Sequence, residues 1–312
     1  MSDIIFSKFM LKLVEQLETK KLSDNTIKAY IQRLYILNGK KKFTSLAFLR
    51  NHEQVIKYLK DNLSLATQKT YAGTISSVLK LNPTKANMKL QDIYVSFIND
   101  EDMEQFKKSA TEKSSKQKDN WINQDDIMKI KNELSSEASK ISKKSEVTRK
   151  EYDILIQNAI LSLYVNQAPR RIADYALMRY ANGGDDKFNY FTDKNIMIFN
   201  NYKTSKTYGK QEIDVSKNKA LLKDMKMYLK HRKSDCKGDM LLVKYNGIAY
   251  NAINDITRTL NKIFGKNISA NMLRSIYVSD KYGNMKQGMI EDSEMMGHSV
   301  TAQQKYYNKG EE

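Results

Sequence analysis

The sequence predicts a mainly α-helical protein with a small β-sheet, in which an N-terminal helical domain precedes a mixed α/β domain. Three observations predict it. Apolar residues recur at helical spacing through the first hundred residues and again after residue 120. Proline is scarce (2) and glycine modest (12) in 312 residues, which favours helices over a loop-rich fold. Short apolar runs, FNYF, NIMIF and QEIDV, cluster between residues 188 and 215 and read as strands. A chain of this length has two domains as its natural prior.

Residues 3–20 carry Ile4, Ile5, Phe9, Leu11, Leu13 and Leu17 and read as a first helix. Ser23-Asp24-Asn25 supplies a cap for a second, on which Ile27, Tyr30, Ile31 and Leu34 fall at i, i+3, i+4 and i+7. A third helix is expected around 45–62, with Leu46, Leu49, Ile56 and Leu59 inward. Ser64 opens a fourth, where Tyr71, Ile75, Val78 and Leu79 share a face until Asn82-Pro83 stops it. Residues 84–100 are mixed in character, and a further helix is placed at 100–112. The stretch 106–120, which ends in polar, lysine-rich sequence without periodicity, reads as an interdomain linker. The domains are therefore 1–105 and 121–312.

In the second domain, Asn123 caps a helix with Asp125 and Asp126 in its first turn, where carboxylates suit the helix dipole. Ser135 to Lys150 reads as a solvated helix end and loop. The run EYDILIQNAILSLYVNQ reads as a buried helix, and Pro169 starts a short one, RRIADYALMRY. Asn182-Gly183-Gly184-Asp185 is a turn before the strands, and NYKTSKTYGK is a polar hairpin tip between the second and third. A helix follows with Ser216 as its cap. DMLLV then reads as a strand, YNGIAYN as a turn and NAINDITRTLNKIFG as a helix.

The formal net charge is +17, which points to a polyanionic partner, with nucleic acid ahead of a membrane. One cysteine, Cys236, excludes an internal disulfide framework and favours a reducing, intracellular compartment. The N-terminus has no signal-peptide pattern, so secretion is not expected, and no window approaches a membrane span. The three histidines show no metal-ligand spacing, and there is no phosphate-binding glycine motif. No metal and no cofactor are expected.

The residues that carry chemistry lie near the C-terminus. Asn271 and Arg274 are three apart and share a helix face. Gly297-His298-Ser299 follows, then Tyr306 and Tyr307. A guanidinium, an imidazole and a phenol together hold a phosphodiester, move protons and attack phosphorus. This stretch resembles the end of the tyrosine recombinases, the phage integrase family. There an H-x-L-R box is followed by an L-G-H box, with the nucleophilic tyrosine nine residues after its histidine. Tyr307 stands nine residues after His298, and Tyr306 one short of that. SDNTIKAYIQRL and SLATQKTYAGTISSVLKL are similar to parts of the helical core-binding domain that precedes the catalytic domain in that family.

The resemblance implies a role for each residue. Arg171 in PRRIADY matches the first arginine of a G-[LR]-R-x-x-E box, and Asp174 its acidic position, one turn away and able to hold the Arg171 guanidinium. Arg170 is the alternative to Arg171. Arg274 matches the arginine of H-x-L-R, with Ser269 as the helix cap. Asn271 departs from the family's usual histidine. It donates an amide N–H but carries no proton, so proton transfer from the tyrosine rests on His298 or water. The family also places a lysine acid on a β-hairpin. Counting from the preceding strand selects Lys203, and counting back from QEIDV selects Lys206; Lys203 is preferred.

The activity implied is site-specific cleavage and rejoining of double-stranded DNA through a 3′-phosphotyrosine. The two domains would close on the duplex, and a homotetramer on two sites would exchange strands. A mobile element or virus fits the family. Three rivals stand beside this reading: a type IB topoisomerase with the same chemistry; a sequence-specific DNA-binding protein impaired in catalysis, which Asn271 motivates; and, more remote, a nucleoid-type structural protein explained by charge alone, which would bind without sequence preference.

Overall fold

A computed structural model describes residues 6–99, 113–234, 239–250 and 253–296. It is mainly helical with one small four-stranded sheet. The chain divides into two compact units, Met1–Ser114 and Ser115–Glu312.

The first unit holds five α-helices among the described residues: α1 (Lys8–Thr19), α2 (Asp24–Leu37), α3 (His52–Asn62), α4 (Leu65–Leu79) and α5 (Lys85–Phe97). Ser7, Ser23 and Thr84 cap α1, α2 and α5, each side-chain oxygen accepting a backbone N–H from the first turn. Leu13, Leu17, Ile27, Ile31, Leu34, Leu59, Tyr71 and Ile75, expected from spacing, meet in one core that Met10 joins, whereas Leu11 is exposed and Ile4 and Ile5 lie outside the described residues. Two expectations change. Helix α3 begins at His52, after a separate 3₁₀ turn at Ala47–Arg50. The stretch read as mixed forms α5, which buries Leu90, Tyr94 and Phe97, and the Tyr94 hydroxyl donates to the Leu49 carbonyl at 2.9 Å. Its Leu-Tyr-Phe stripe is sparse, so the signal lay in the Thr84 cap rather than in periodicity.

In the second unit, α6 (Ser115–Asn120) occupies the end of the stretch read as linker, so the units part at Ser114/Ser115. Residues 106–112 of that linker, and the helix placed at 100–112, fall outside the described set. Helices α7 (Gln124–Ile141) and α8 (Arg149–Val165) follow. Asn123 accepts the Asp126 N–H at 2.7 Å and caps α7. Helix α8 is buried on nearly all sides from Tyr152 to Tyr164 and forms the spine of the core.

After Pro169 the chain makes only a five-residue helix, α9 (Ile172–Ala176), and then strand β1 (Met178–Tyr180). The expectation of one helix to Tyr180 is corrected here. Met178–Tyr180 pairs in parallel with β2 (Asn189–Phe191), and that ladder, with the buried Met178, outweighs the local helical pattern. Strand β3 (Ile196–Phe199) and strand β4 (Gln211–Asp214) complete the sheet by antiparallel pairing, in the order β1-β2-β3-β4. A short helix, α10 (Ser205–Tyr208), sits in the β3–β4 connection, and Gly209 at φ 66° turns the chain back into β4.

Helix α11 (Lys219–His231) is capped by Asn218, which accepts from the Leu221 N–H, not by Ser216; Ser216 lies in a 3₁₀ turn. DMLLV makes two isolated bridges, Arg179 with Met240 and Val243 with Ala249, in place of a full strand. Helices α12 (Ile253–Phe264) and α13 (Ala270–Met295) end the described chain. Among the described residues no helix is long and apolar enough to cross a membrane.

Candidate active site

The sequence-predicted residues that the structure describes all lie in the second unit: Arg171, Asp174, Lys203, Lys206, Asn271 and Arg274. His298, Tyr306 and Tyr307 lie outside the described residues.

The two arginine-bearing segments meet. Ser269 accepts the Met272 N–H at 3.2 Å and caps α13, whose first turns bury Met272, Leu273 and Ile276. That anchorage presents Arg274, half-buried, toward the Pro169 segment. Its Nε donates to the Pro169 carbonyl at 3.2 Å, and Nη1 donates to the Asn271 side-chain oxygen at 3.4 Å. With its carbonyl side occupied by Arg274, exposed Asn271 keeps its amide N–H groups for another acceptor.

Arg170 and Arg171 divide the remaining work unequally. The expectation that Asp174 holds the Arg171 guanidinium is corrected by the structure. Asp174 is buried, and its Oδ2 instead accepts from Arg170 Nε at 3.2 Å, an i,i+4 pair. Arg170 Nη1 donates to the Gln211 side chain at 2.7 Å. The Arg170 guanidinium carbon also lies 3.8 Å from the Phe199 ring centre and 4.8 Å from that of Tyr202.

Arg171, in extended backbone geometry, is the N-cap residue of α9, and its carbonyl accepts the Asp174 N–H at 3.0 Å. Among the described residues the Arg171 guanidinium takes up no hydrogen bond or ion pair. It is half-buried.

Burial pushes the Asp174 carboxyl above its usual range, and the Arg170 charge opposes the shift. The Tyr164 hydroxyl, buried with no hydrogen-bond partner among the described residues, is likewise pushed up by burial, with the Arg274 charge opposing. Tyr164 stacks edge-on against Tyr175 of α9, with ring centres 5.5 Å apart.

Both candidate lysines are exposed in the β3–β4 connection, Lys203 before α10 and Lys206 within it. The chain leading to Lys203 is strapped down. The Asn189 amide donates to the carbonyls of Asp174 and Asn201, both at 3.0 Å, and its oxygen accepts the Asn201 N–H at 2.9 Å. Buried Tyr202 donates to the Gly209 carbonyl at 2.7 Å. Asn189 and Gln211 were not singled out in the sequence, and Arg170 only as the alternative to Arg171, because their roles depend on strand pairing between positions far apart in the chain.

Comparison of the chain with protein-family models, with curated proteins and with solved structures found no match. Among the described residues no group of three or more His, Cys, Asp or Glu side chains is placed to hold a metal ion. The chemistry on offer is cationic: Arg171 and Arg274 on neighbouring segments, with Lys203 or Lys206 on a hairpin tied to the same place.

Proposed function

We propose that this protein is a site-specific DNA recombinase that cuts and rejoins strands through a phosphotyrosine. One observation carries the reading. The Arg274 guanidinium bonds to the Pro169 carbonyl, so that two arginine segments about a hundred residues apart in sequence touch; in this reading they form one anion-binding surface. The order arginine, lysine, arginine, histidine, tyrosine along residues 171–307 and the net charge of +17 support it.

In this reading Arg171 and Arg274 bind the non-bridging oxygens of the scissile phosphate and stabilise the charge that grows on them in the transition state. The phenolic oxygen of Tyr307 forms a bond to phosphorus as the bond from phosphorus to the 5′-oxygen breaks. The tyrosine proton passes to His298 or water, because a phenol with a pKa of ~10 attacks poorly while protonated. The 5′-oxygen takes a proton from Lys203. The products are a 3′-phosphotyrosine and a free 5′-hydroxyl. Attack by another 5′-hydroxyl reverses the step, so the phosphodiester energy is conserved. Exchange between two sites requires several protomers, and a tetramer is the expected assembly.

Asn271 favours a second reading, a DNA-binding protein with weak or no cleavage, since an amide moves no proton. A supercoiled plasmid carrying two copies of a binding site selected from a randomised duplex pool tests both. Deletion or inversion between the sites supports the recombinase. Relaxed topoisomers alone indicate a topoisomerase. Binding at the selected site with neither product overturns the proposal in favour of the second reading.

A further inference from the structure

The geometry points to Arg170 and Gln211 as positioning residues that set the hairpin lysine against the phosphate held by Arg171 and Arg274, an inference that rests on the cleavage reading above. Arg170 precedes Arg171 in sequence but has a different employment. Its guanidinium is one-sixth exposed and held from several sides: Asp174 of α9 on Nε, Gln211 of β4 on Nη1, and the rings of Phe199 and Tyr202 against its face.

Those partners lie at both ends of one loop. Phe199 ends β3, Tyr202 immediately precedes Lys203, and Gln211 begins β4. Arg170 therefore grips the entry and the exit of the segment that carries Lys203 and Lys206. It ties them to the same short stretch, Pro169 to Arg171, whose carbonyl at Pro169 holds Arg274. Asn189 adds a parallel strap from the Asp174 carbonyl to Asn201. A lysine on a free hairpin samples many positions, and a proton donor works only within hydrogen-bond reach of the leaving oxygen. The planar fork of arginine is what allows two acceptors to be held at once; lysine in its place keeps a charge for Asp174 but loses the fork.

The consequence is selective. Loosening the brace should slow protonation of the 5′-oxygen while leaving phosphate binding by Arg171 and Arg274 in place. A duplex with sulfur in place of the bridging 5′-oxygen distinguishes the two, because a thiolate leaves without needing a proton.

The full-length protein would be tested as wild type, Arg170→Lys, Gln211→Met, Lys203→Ala, Lys206→Ala and Arg171→Ala. The probe is a nicked duplex of the selected site, made with oxygen or with sulfur at the cleavage position mapped with wild type. Gln211 is half-buried at the start of a strand, so Gln211→Met breaks the hairpin arm with the least disturbance to folding. Arg170→Lys and Gln211→Met should each lose about 10–100-fold in adduct formation on the oxygen substrate. Both should recover to near wild-type rate on the sulfur substrate, as should the alanine variant of whichever lysine is the acid. Arg171→Ala should stay slow on both. Equal losses on the two substrates for Arg170→Lys and Gln211→Met would overturn the positioning role while leaving the cleavage reading intact. No adduct from wild type on either substrate would overturn the cleavage reading itself, and this inference with it.

Discussion

Lys131 donates to Asp224 at 2.7 Å with both side chains about 3% exposed. Asn158, Ser135, Ser162 and Asn166 complete the hydrogen bonding of that pair. The cluster joins α7, α8 and α11. Because every lone pair on Asp224 is used, the pair is held without an unsatisfied charge.

Removing one partner should therefore cost far more than removing both. Lys131→Met leaves a buried carboxylate uncompensated and should destabilise the second unit by about 3–5 kcal/mol. The double variant Lys131→Met/Asp224→Leu should recover part of that loss. Trp121, the single tryptophan, packs against the core of this unit, so its fluorescence during urea unfolding reads the effect directly. A loss below about 1 kcal/mol for Lys131→Met would mean that the charges are solvated after all.

The start of α8 predicts a pH dependence. Glu151 and Thr148 form a capping box, and Lys144 pairs with the Glu151 carboxylate. The Lys144 and Thr148 hydrogen bonds lower the Glu151 pKa from 4.5 to about 2. An acid whose pKa falls on folding contributes stability above its unfolded pKa and loses it as pH falls through the folded one. Wild type should accordingly lose its advantage over Glu151→Gln between pH 4.5 and pH 2 and keep it unchanged at higher pH. Urea midpoints of both proteins at a series of pH values test this; a gap that persists undiminished at the acid end contradicts it.

Arg274 and Asn271 should separate in kinetics. Arg274→Ala removes a cation from the phosphate and should slow adduct formation by about 10²–10³-fold. Asn271→Ala removes one long, exposed hydrogen bond to that cation, so a loss of less than about tenfold is expected. Single-turnover cleavage at saturating protein measures both. Losses of equal size would show that Asn271 itself touches the reacting atoms.

Periodicity made the first unit legible: α2 and α4 lie where spacing and serine caps placed them, and α1 starts later than spacing alone suggested, at Lys8 behind the Ser7 cap. Strand β1 was not legible, because Arg170 to Tyr180 has an unbroken helical composition and only pairing with β2 makes Met178–Tyr180 extended. The arginine pair shows a finer limit. Asp174 lies three residues from Arg171 and four from Arg170, and both spacings share a helix face. Sequence alone does not say which guanidinium the carboxylate takes. The deciding facts, that Gln211 and the Phe199 and Tyr202 rings wait for Arg170, depend on the sheet register. Likewise the meeting of Arg274 with Pro169 is a tertiary fact, although both arginine boxes were visible separately.

The central claim is that Tyr307 becomes joined to DNA, and covalent trapping tests it most directly. Nicked duplexes of the selected site, from which the short cleaved strand diffuses away, would be incubated with wild type, Tyr306→Phe and Tyr307→Phe and separated under denaturing conditions. The account predicts a denaturant-resistant protein–DNA species from wild type and Tyr306→Phe, and none from Tyr307→Phe, which should still bind the duplex. An adduct that survives in Tyr307→Phe, or no adduct from wild type while binding is intact, would contradict it.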